Sequence, residues 1–223
     1  MVHKDWTLIL DFDSTIIKGE SLDLLAEAVF DNRLESNLKF QEIKKLTDEG
    51  MEGRISFQES LNRRLKILEL DQFHLNKAIT SVTKLISPSF IENIGWLKKY
   101  RDNILIFSGG FKDMIKPVAV KLGLKEENIY ANELIFKNGK FNGVNEKSAL
   151  SRSGGKLNQA KQLGLDKNLI VVGDGITDWE IKNLGDQVTF FAYTENVSRK
   201  NVVKKADFEA NNFDEVVKYI EGI

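Results

Sequence analysis

The chain contains no cysteine. That rules out disulfides, thiolate metal sites and a cysteine nucleophile, and leaves the redox compartment open. Its two histidines, His3 and His74, lie far apart, and neither has a partner at metal-ligand spacing, so imidazole-based zinc chemistry is not expected. No charge of one sign dominates. The formal net charge of -1 gives no electrostatic reason to expect nucleic acid or an anionic membrane as a partner. No apolar run is long enough to span a bilayer, and Met1 to Trp6 carry no apolar signal region, so a cytoplasmic protein is expected. Repeats of fixed period and low-complexity tracts are missing as well.

What is present fits one domain, or one domain with an insertion: 223 residues, 42% of them apolar, are ample for a sizeable core. The organising stretch is Leu8 to Ile17, L-I-L-D-F-D-S-T-I-I. Thr7 to Leu10 are apolar or β-branched at successive positions, as in a strand buried on both faces of a parallel sheet. Asp11 and Asp13 stand at its carboxyl end, where open α/β sheets bind ligands. Two like charges this close are tolerable mainly with a cation between them or a proton on one.

From Glu20 to about Leu85 the period is helical, with no strand. Leu22, Leu25, Ala26 and Val29 form one stripe, started by Glu20 and Ser21. Ile43, Leu46 and Met51 form a second, ending near Gly50 and Gly53. Phe57, Leu61, Leu65 and Leu68 form a third, with Ser56 as N-cap. A fourth runs from Asp71 to about Leu85. Ser87-Pro88 restarts a helix carrying Phe90, Ile91, Ile94 and Leu97. The other proline, Pro117, falls inside a helix reaching Leu122 and should kink it or delay its start.

Asn103 to Phe107 and Leu169 to Val172 read as two more buried strands. Ile129 to Phe136 is extended, and Asn138-Gly139 between Phe136 and Phe141 signals a hairpin. Further strands are expected at Val188 to Ala192 and Ala206 to Phe208, and a last helix at Phe213 to Ile220. Strands alternating with helices predict an α/β fold, a doubly wound parallel sheet with an all-helical insertion. The expected division is a core of residues 1–17 and 86–223 and a helical cap of residues 18–85.

Three sites besides the first carry chemistry. Ser108-Gly109-Gly110 offers a hydroxyl and backbone donors before a helix, which suits an anion. Lys156 follows Gly154-Gly155 at a helix start, where a cation is disfavoured unless it faces an anion. Gly173-Asp174-Gly175-x-x-Asp178 adds two carboxylates, and an oxygen-rich set of this kind suits a hard cation such as Mg²⁺.

An apolar strand ending in Asp-x-Asp-x-Thr, another ending in Ser-Gly, then Lys, then Asp-Gly-x-x-Asp resembles the four motifs of the haloacid dehalogenase-like phosphatases, in order and over essentially the whole chain. Within that group the sequence is similar to the phosphoserine phosphatase family. The similarity rests on Glu20, Met51-Glu52-Gly53, Phe57, Ser60-Leu61-x-x-Arg64, Ser108-Gly109-Gly110-Phe111, Ala131-Asn132 and Ser153-Gly154-Gly155-Lys156. Thr177 stands where many bacterial and archaeal members have Asn and eukaryotic-type members have Thr.

The resemblance implies a Rossmann-like core and hydrolysis of a small phosphomonoester, O-phospho-L-serine, through an aspartyl-phosphate. Asp11 would be the nucleophile and Asp13 the general acid and base. Mg²⁺ would be held by Asp11, Asp174 and the Asp13 backbone carbonyl, with Asp178 orienting a bound water or Lys156. Lys156, Ser108, Gly109 and Thr177 would bind phosphate. Glu20 would take the substrate ammonium and Arg64 its carboxylate, with Met51 and Phe57 as an apolar wall. A related phosphatase or phosphotransferase acting on phosphohomoserine or phosphoethanolamine is the competing expectation, and a monomer or homodimer is expected.

Overall fold

The computed structural model describes residues 5–30, 34–145, 147–165 and 167–222, so His3 lies outside the described residues. Strand β1 (Trp6–Leu10) opens the chain. Its successive residues feed opposite faces: Leu8 and Leu10 enter one buried apolar cluster and Ile9 the other, the period of two inherent to a strand. The first four helices after it are α1 (Ser21–Val29), α2 (Leu34–Met51), α3 (Phe57–Ile67) and α4 (Gln72–Val82). Ser56 caps α3 by accepting from Glu59 N, and Asp71 caps α4 by accepting from His74 N. Glu20 precedes α1 without capping it through its side chain.

The stripe after Ser87 is two helices rather than one, α5 (Pro88–Glu92) and α6 (Ile94–Lys99). Asn93 separates them. Its side-chain amide donates to Ser89 O and to Asp214 at 2.9 Å, competing with the backbone ladder. Ile91 is 38% exposed and not a core residue.

Then come β2 (Ile104–Phe111) and α7 (Lys112–Leu122). Strand β2 carries the Ser108-Gly109-Gly110 triplet within it, beyond the end expected at Phe107. The start of α7 is not delayed by Pro117, its sixth residue. A proline there removes one bond, to the Asp113 carbonyl, and the helix continues from both sides. The extended run after it divides between two sheets. Strand β3 (Ile129–Asn132) joins the main sheet, while β4 (Leu134–Lys137) turns away to pair with β5 (Lys140–Val144). Asn138 and Gly139, both at positive φ, form the hairpin turn. The rest is α8 (Gly155–Gln162), β6 (Asn168–Gly173), α9 (Ile176–Trp179), β7 (Val188–Tyr193), α10 (Lys200–Val203), β8 (Phe208–Ala210) and α11 (Phe213–Glu221).

The main sheet has the order β3-β2-β1-β6-β7-β8 and is parallel throughout. From β1 the chain builds outward through β2 and β3, then returns to the other side of β1 for β6. That reversal makes the carboxyl end of β1 the topological switch point, where a crevice opens between diverging connections. Asp11 is the first residue past it. Among the described residues no helix is long and apolar enough to cross a membrane.

Candidate active site

Residues Phe12 to Ile16 make one wide, irregular turn directly after β1, with Ser14 at φ +53°. The turn is held by other parts of the chain. Asn196 donates its amide to the carbonyls of Ser14 and Thr15 at 3.1 Å and to Ser87 Oγ at 2.8 Å. This fixes the two aspartates in different surroundings. Asp11 Oδ1 accepts from Phe12 N at 2.7 Å and pairs with Lys156 Nζ at 2.7 Å. Asp13 turns the other way and accepts from Ser21 N at 2.8 Å and Ser21 Oγ at 2.9 Å.

The other strand ends converge on the same place. Lys156, expected to face a bound anion, lies between two carboxylates of the protein itself, Asp11 and Asp178 at 2.7 and 2.6 Å. Asp178 Oδ2 also accepts from Gly175 N at 3.1 Å. Its approach needs Gly173, where a Cβ would lie 2.2 Å from Asp178 Cγ. Ser108 is fully buried. Its oxygen accepts from Gly110 N at 2.9 Å, so what it offers a ligand is its proton. Gly110 is also closely packed: a Cβ there would meet Ser21 Oγ at 2.9 Å and Asp13 Oδ2 at 3.1 Å.

From the helical segment Arg64, 3% exposed, enters with Nη1 on Thr47 Oγ1 at 3.0 Å and Nε on Ser60 O at 3.3 Å. Glu20 accepts from Ser14 Oγ at 2.8 Å. All of the substrate-binding candidates, together with Asp11, Asp13 and Lys156, border one cavity of about 20 Å³. That holds about one water molecule. Phe57 closes it by lying on Gly109, where a Cβ would come within 2.2 Å of the ring. Larger hollows of about 810 Å³ and 670 Å³ are lined by none of Asp11, Asp13 and Lys156, although Glu20 borders the second.

Two of the expected residues do not line this cavity but adjoin it through Asp11. Asp174 and Asp178 form a cluster with Asp11, each offering an oxygen within 4.8 Å of the others. Asp178 therefore stands among the carboxylates, while the Asp13 carboxyl points away to Ser21. Asp174 Oδ2 accepts from Arg199 Nε at 2.8 Å, and its Oδ1 is buried with no partner. An orphaned buried carboxylate oxygen inside a three-carboxylate cluster fits a hard divalent cation.

Sequence reasoning passed over Arg199, Ser21 and Asn196. Arg199 precedes α10 as its N-cap residue. The reasoning applied to Lys156, a cation at an unfavourable helix start, would have singled it out as well.

Burial dominates the electrostatics. The Asp13 carboxyl is pushed up to about 7, first by burial and then by the charge of Asp11, against the Ser21 hydrogen bonds. Burial comes ahead of the crowding of carboxylates that the sequence suggested as the cause. Asp174 is raised to about 6 by burial and by Asp11, with Arg199 opposing. Burial, followed by neighbouring carboxylates, raises Glu20 and Asp178 well above the carboxylate range. Burial alone would lower the Lys156 ammonium; Asp11 and Asp178 reverse it and raise it. Five buried carboxyl groups thus face three cations, Lys156, Arg64 and Arg199, an excess of negative charge that invites a proton, a cation or both.

Comparison with known proteins agrees with this geometry. The model of the haloacid dehalogenase-like hydrolases matches residues 8–181. A phosphoserine phosphatase of Methanocaldococcus jannaschii is 32% identical over 230 residues, 99% of this chain and 100% of its own. The crystal structure of a phosphoserine phosphohydrolase-like protein from Francisella tularensis superposes with a TM-score of 0.85 at 33% identity, covering 96% of this chain and 99% of the other. A phospho-aspartyl intermediate analogue of phosphoserine phosphatase superposes at 0.71 with 30% identity, covering 97% and 99%.

Proposed function

The chain belongs to the haloacid dehalogenase-like hydrolases, and on that premise we propose that it is a Mg²⁺-dependent phosphatase that hydrolyses O-phospho-L-serine to serine and phosphate through an aspartyl-phosphate. One observation carries the reading. A single cavity brings together Asp11, the raised carboxyl of Asp13, the donors Ser108, Gly109, Thr177 and Lys156, and two groups of opposite charge, Arg64 and Glu20, suited to the two ends of an amino acid.

Asp11 is the nucleophile. Phe12 N and Lys156 both occupy its Oδ1, so Oδ2 is the oxygen that attacks phosphorus in line. The Ser108 hydroxyl, the Gly109 N–H, Thr177 and Lys156 receive the equatorial oxygens, where preorganised donors are worth roughly 3 kcal/mol each in the transition state. The P–O bond to the serine oxygen breaks as Asp13 delivers its proton to that oxygen. Asp13, now a carboxylate, then takes a proton from the water that attacks the aspartyl-phosphate. Its position on Ser21, away from the cation cluster, keeps it available for both steps.

Asp11, Asp174 and the Asp13 carbonyl would hold Mg²⁺, with Asp178 beside them. When bound, the ion supplies positive charge that lets a carboxylate approach a phosphate dianion. Arg64 takes the substrate carboxylate and Glu20 its ammonium, while Met51 and Phe57 exclude water. The division of labour follows: residues 1–17 and 86–223 perform the chemistry, and residues 18–85 select the substrate. A cytoplasmic setting and a monomeric or homodimeric state belong to the same reading, tested by fractionation and sedimentation.

The decisive assay is phosphate release from O-phospho-L-serine, with and without Mg²⁺, against phosphohomoserine, phosphoethanolamine and an aryl phosphate. A Mg²⁺-dependent preference for phosphoserine is expected. Arg64→Ala should raise KM for phosphoserine far more than for the aryl phosphate. Equal losses on both would remove Arg64 from carboxylate recognition.

A further inference from the structure

A cavity of about 20 Å³ cannot admit a phosphorylated amino acid, so part of the molecule must withdraw. The four inserted helices are not one body free of the sheet. α4 packs against α7. The β4–β5 hairpin also grips the α3–α4 junction: Phe141 N donates to Leu70 O at 3.1 Å, and Gln72 N to Gly139 O at 3.0 Å. A swing of all four helices about Gly19 and Ser87 would break these backbone bonds.

α2 and α3 are fastened to each other instead. Ser60 Oγ donates to Leu46 O at 2.7 Å, and Arg64 Nη1 reaches Thr47. This pair forms an arm that carries Met51, Phe57 and Arg64 over the cavity. Among the described residues its ion pair with the core is Asp48 Oδ1 on Arg199 Nη1 at 3.4 Å. The same guanidinium holds Asp174 at 2.8 Å and approaches Glu20 at 3.8 Å.

We propose that Asp48 is a positioning residue: it latches the α2–α3 arm shut through Arg199 and so ties closure of the cavity to the carboxylate cluster at Asp174. The Arg199 side chain is 9% exposed and anchored by Asp174, whereas Asp48 is 59% exposed on the arm. The anchored partner presents a preset charge, and the exposed partner regains water cheaply on leaving. Such a pair gives a modest, salt-screened attraction, which suits a lid that opens in every turnover. Because one guanidinium serves both groups, the arm and the cation site share a residue. In its kinetic readout the latch rests on the phosphoserine reading.

The test uses the full chain with Asp48→Lys and Asp48→Glu. Asp48→Lys should raise KM for phosphoserine about five- to tenfold with kcat within about twofold, and the loss should shrink in high salt. Asp48→Glu should keep the wild-type KM. Amide exchange in the presence of Mg²⁺ should rise across α2 and α3 in Asp48→Lys, stay unchanged in α4, and return to wild type in Asp48→Glu. A KM loss indifferent to salt and shared by Asp48→Glu overturns the latch, because it is then a packing effect. Unchanged exchange in α2 and α3 overturns it whatever the substrate is. If exchange responds as expected but the wild-type chain leaves phosphoserine intact, the latch is supported and the substrate reading fails.

Discussion

The proposed acid and base, Asp13, holds a raised carboxyl before any substrate arrives. Burial and the Asp11 charge raise its carboxyl to about 7, so a large share is protonated at neutral pH. A raised carboxylic acid keeps its proton below that value and loses it above. kcat/KM, which reports the free enzyme, should therefore fall on the alkaline side of about pH 7. Asp13→Asn should lower kcat on phosphoserine by about 10²–10⁴-fold and abolish that limb. The loss should be smaller on p-nitrophenyl phosphate, whose leaving group needs no proton. An unchanged alkaline limb in Asp13→Asn would assign the titration to another group. At this scale the motif residues were legible because their chemistry is conspicuous: paired aspartates, a Ser-Gly strand end, a lysine at a helix start. Ser21 and Asn196 were not. They act through hydrogen bonds to residues 8 and 182 positions away, and nothing in a serine or an asparagine announces such a partner.

The elements were legible where hydrophobic period alone decides them, and misread where one residue competes with the backbone. Asn93 split a helix that the apolar spacing of Phe90, Ile94 and Leu97 drew as continuous. The run from Ile129 to Phe136 looked uniform, yet the main sheet ends its pairing at Asn132, whose buried amide bonds Gly109 O and Leu150 O. Pro117 is the third case. It sits mid-helix, half-buried, with the residues on both sides helical. The Asp113 carbonyl loses its intrahelical donor there, and proline in a helix interior costs roughly 3 kcal/mol relative to alanine. Part of that is recovered because proline also restricts the unfolded chain. Pro117→Ala should therefore raise unfolding free energy by about 1–2 kcal/mol with no change in KM or kcat. Chemical denaturation followed by assay checks both. A loss of stability would mean that the ring's packing outweighs the missing bond.

The whole molecule concentrates charge at the switch point of its sheet. Five carboxyl groups and three cations meet there, although the chain as a whole carries a net charge of only -1. Composition therefore hid the site's electrostatics, which appear only once β1, β2, β6 and the helical arm are brought together. The surplus of buried carboxylates destabilises the fold without a cation, because each was desolvated and most face another carboxylate. A divalent ion binding the native cluster and not the unfolded chain should add RT ln(1 + [L]/Kd), about 2.7 kcal/mol at one hundred times Kd. For a chain of this size that is roughly 5–10 °C in melting temperature. Mg²⁺ should therefore raise the melting temperature of the wild type by several degrees. The rise should shrink as pH falls below about 6, where a proton on Asp174 competes with the ion. Asp174→Asn should abolish most of the rise. Its melting temperature without metal should not be lower than that of the wild type, since one buried carboxylate is gone while an oxygen remains for Arg199. Differential scanning calorimetry of both chains in chelator and in Mg²⁺, at neutral pH and below pH 6, measures all four quantities. An equal Mg²⁺ response in Asp174→Asn would place the cation elsewhere and remove Asp174 from the group that Arg199 connects to the arm.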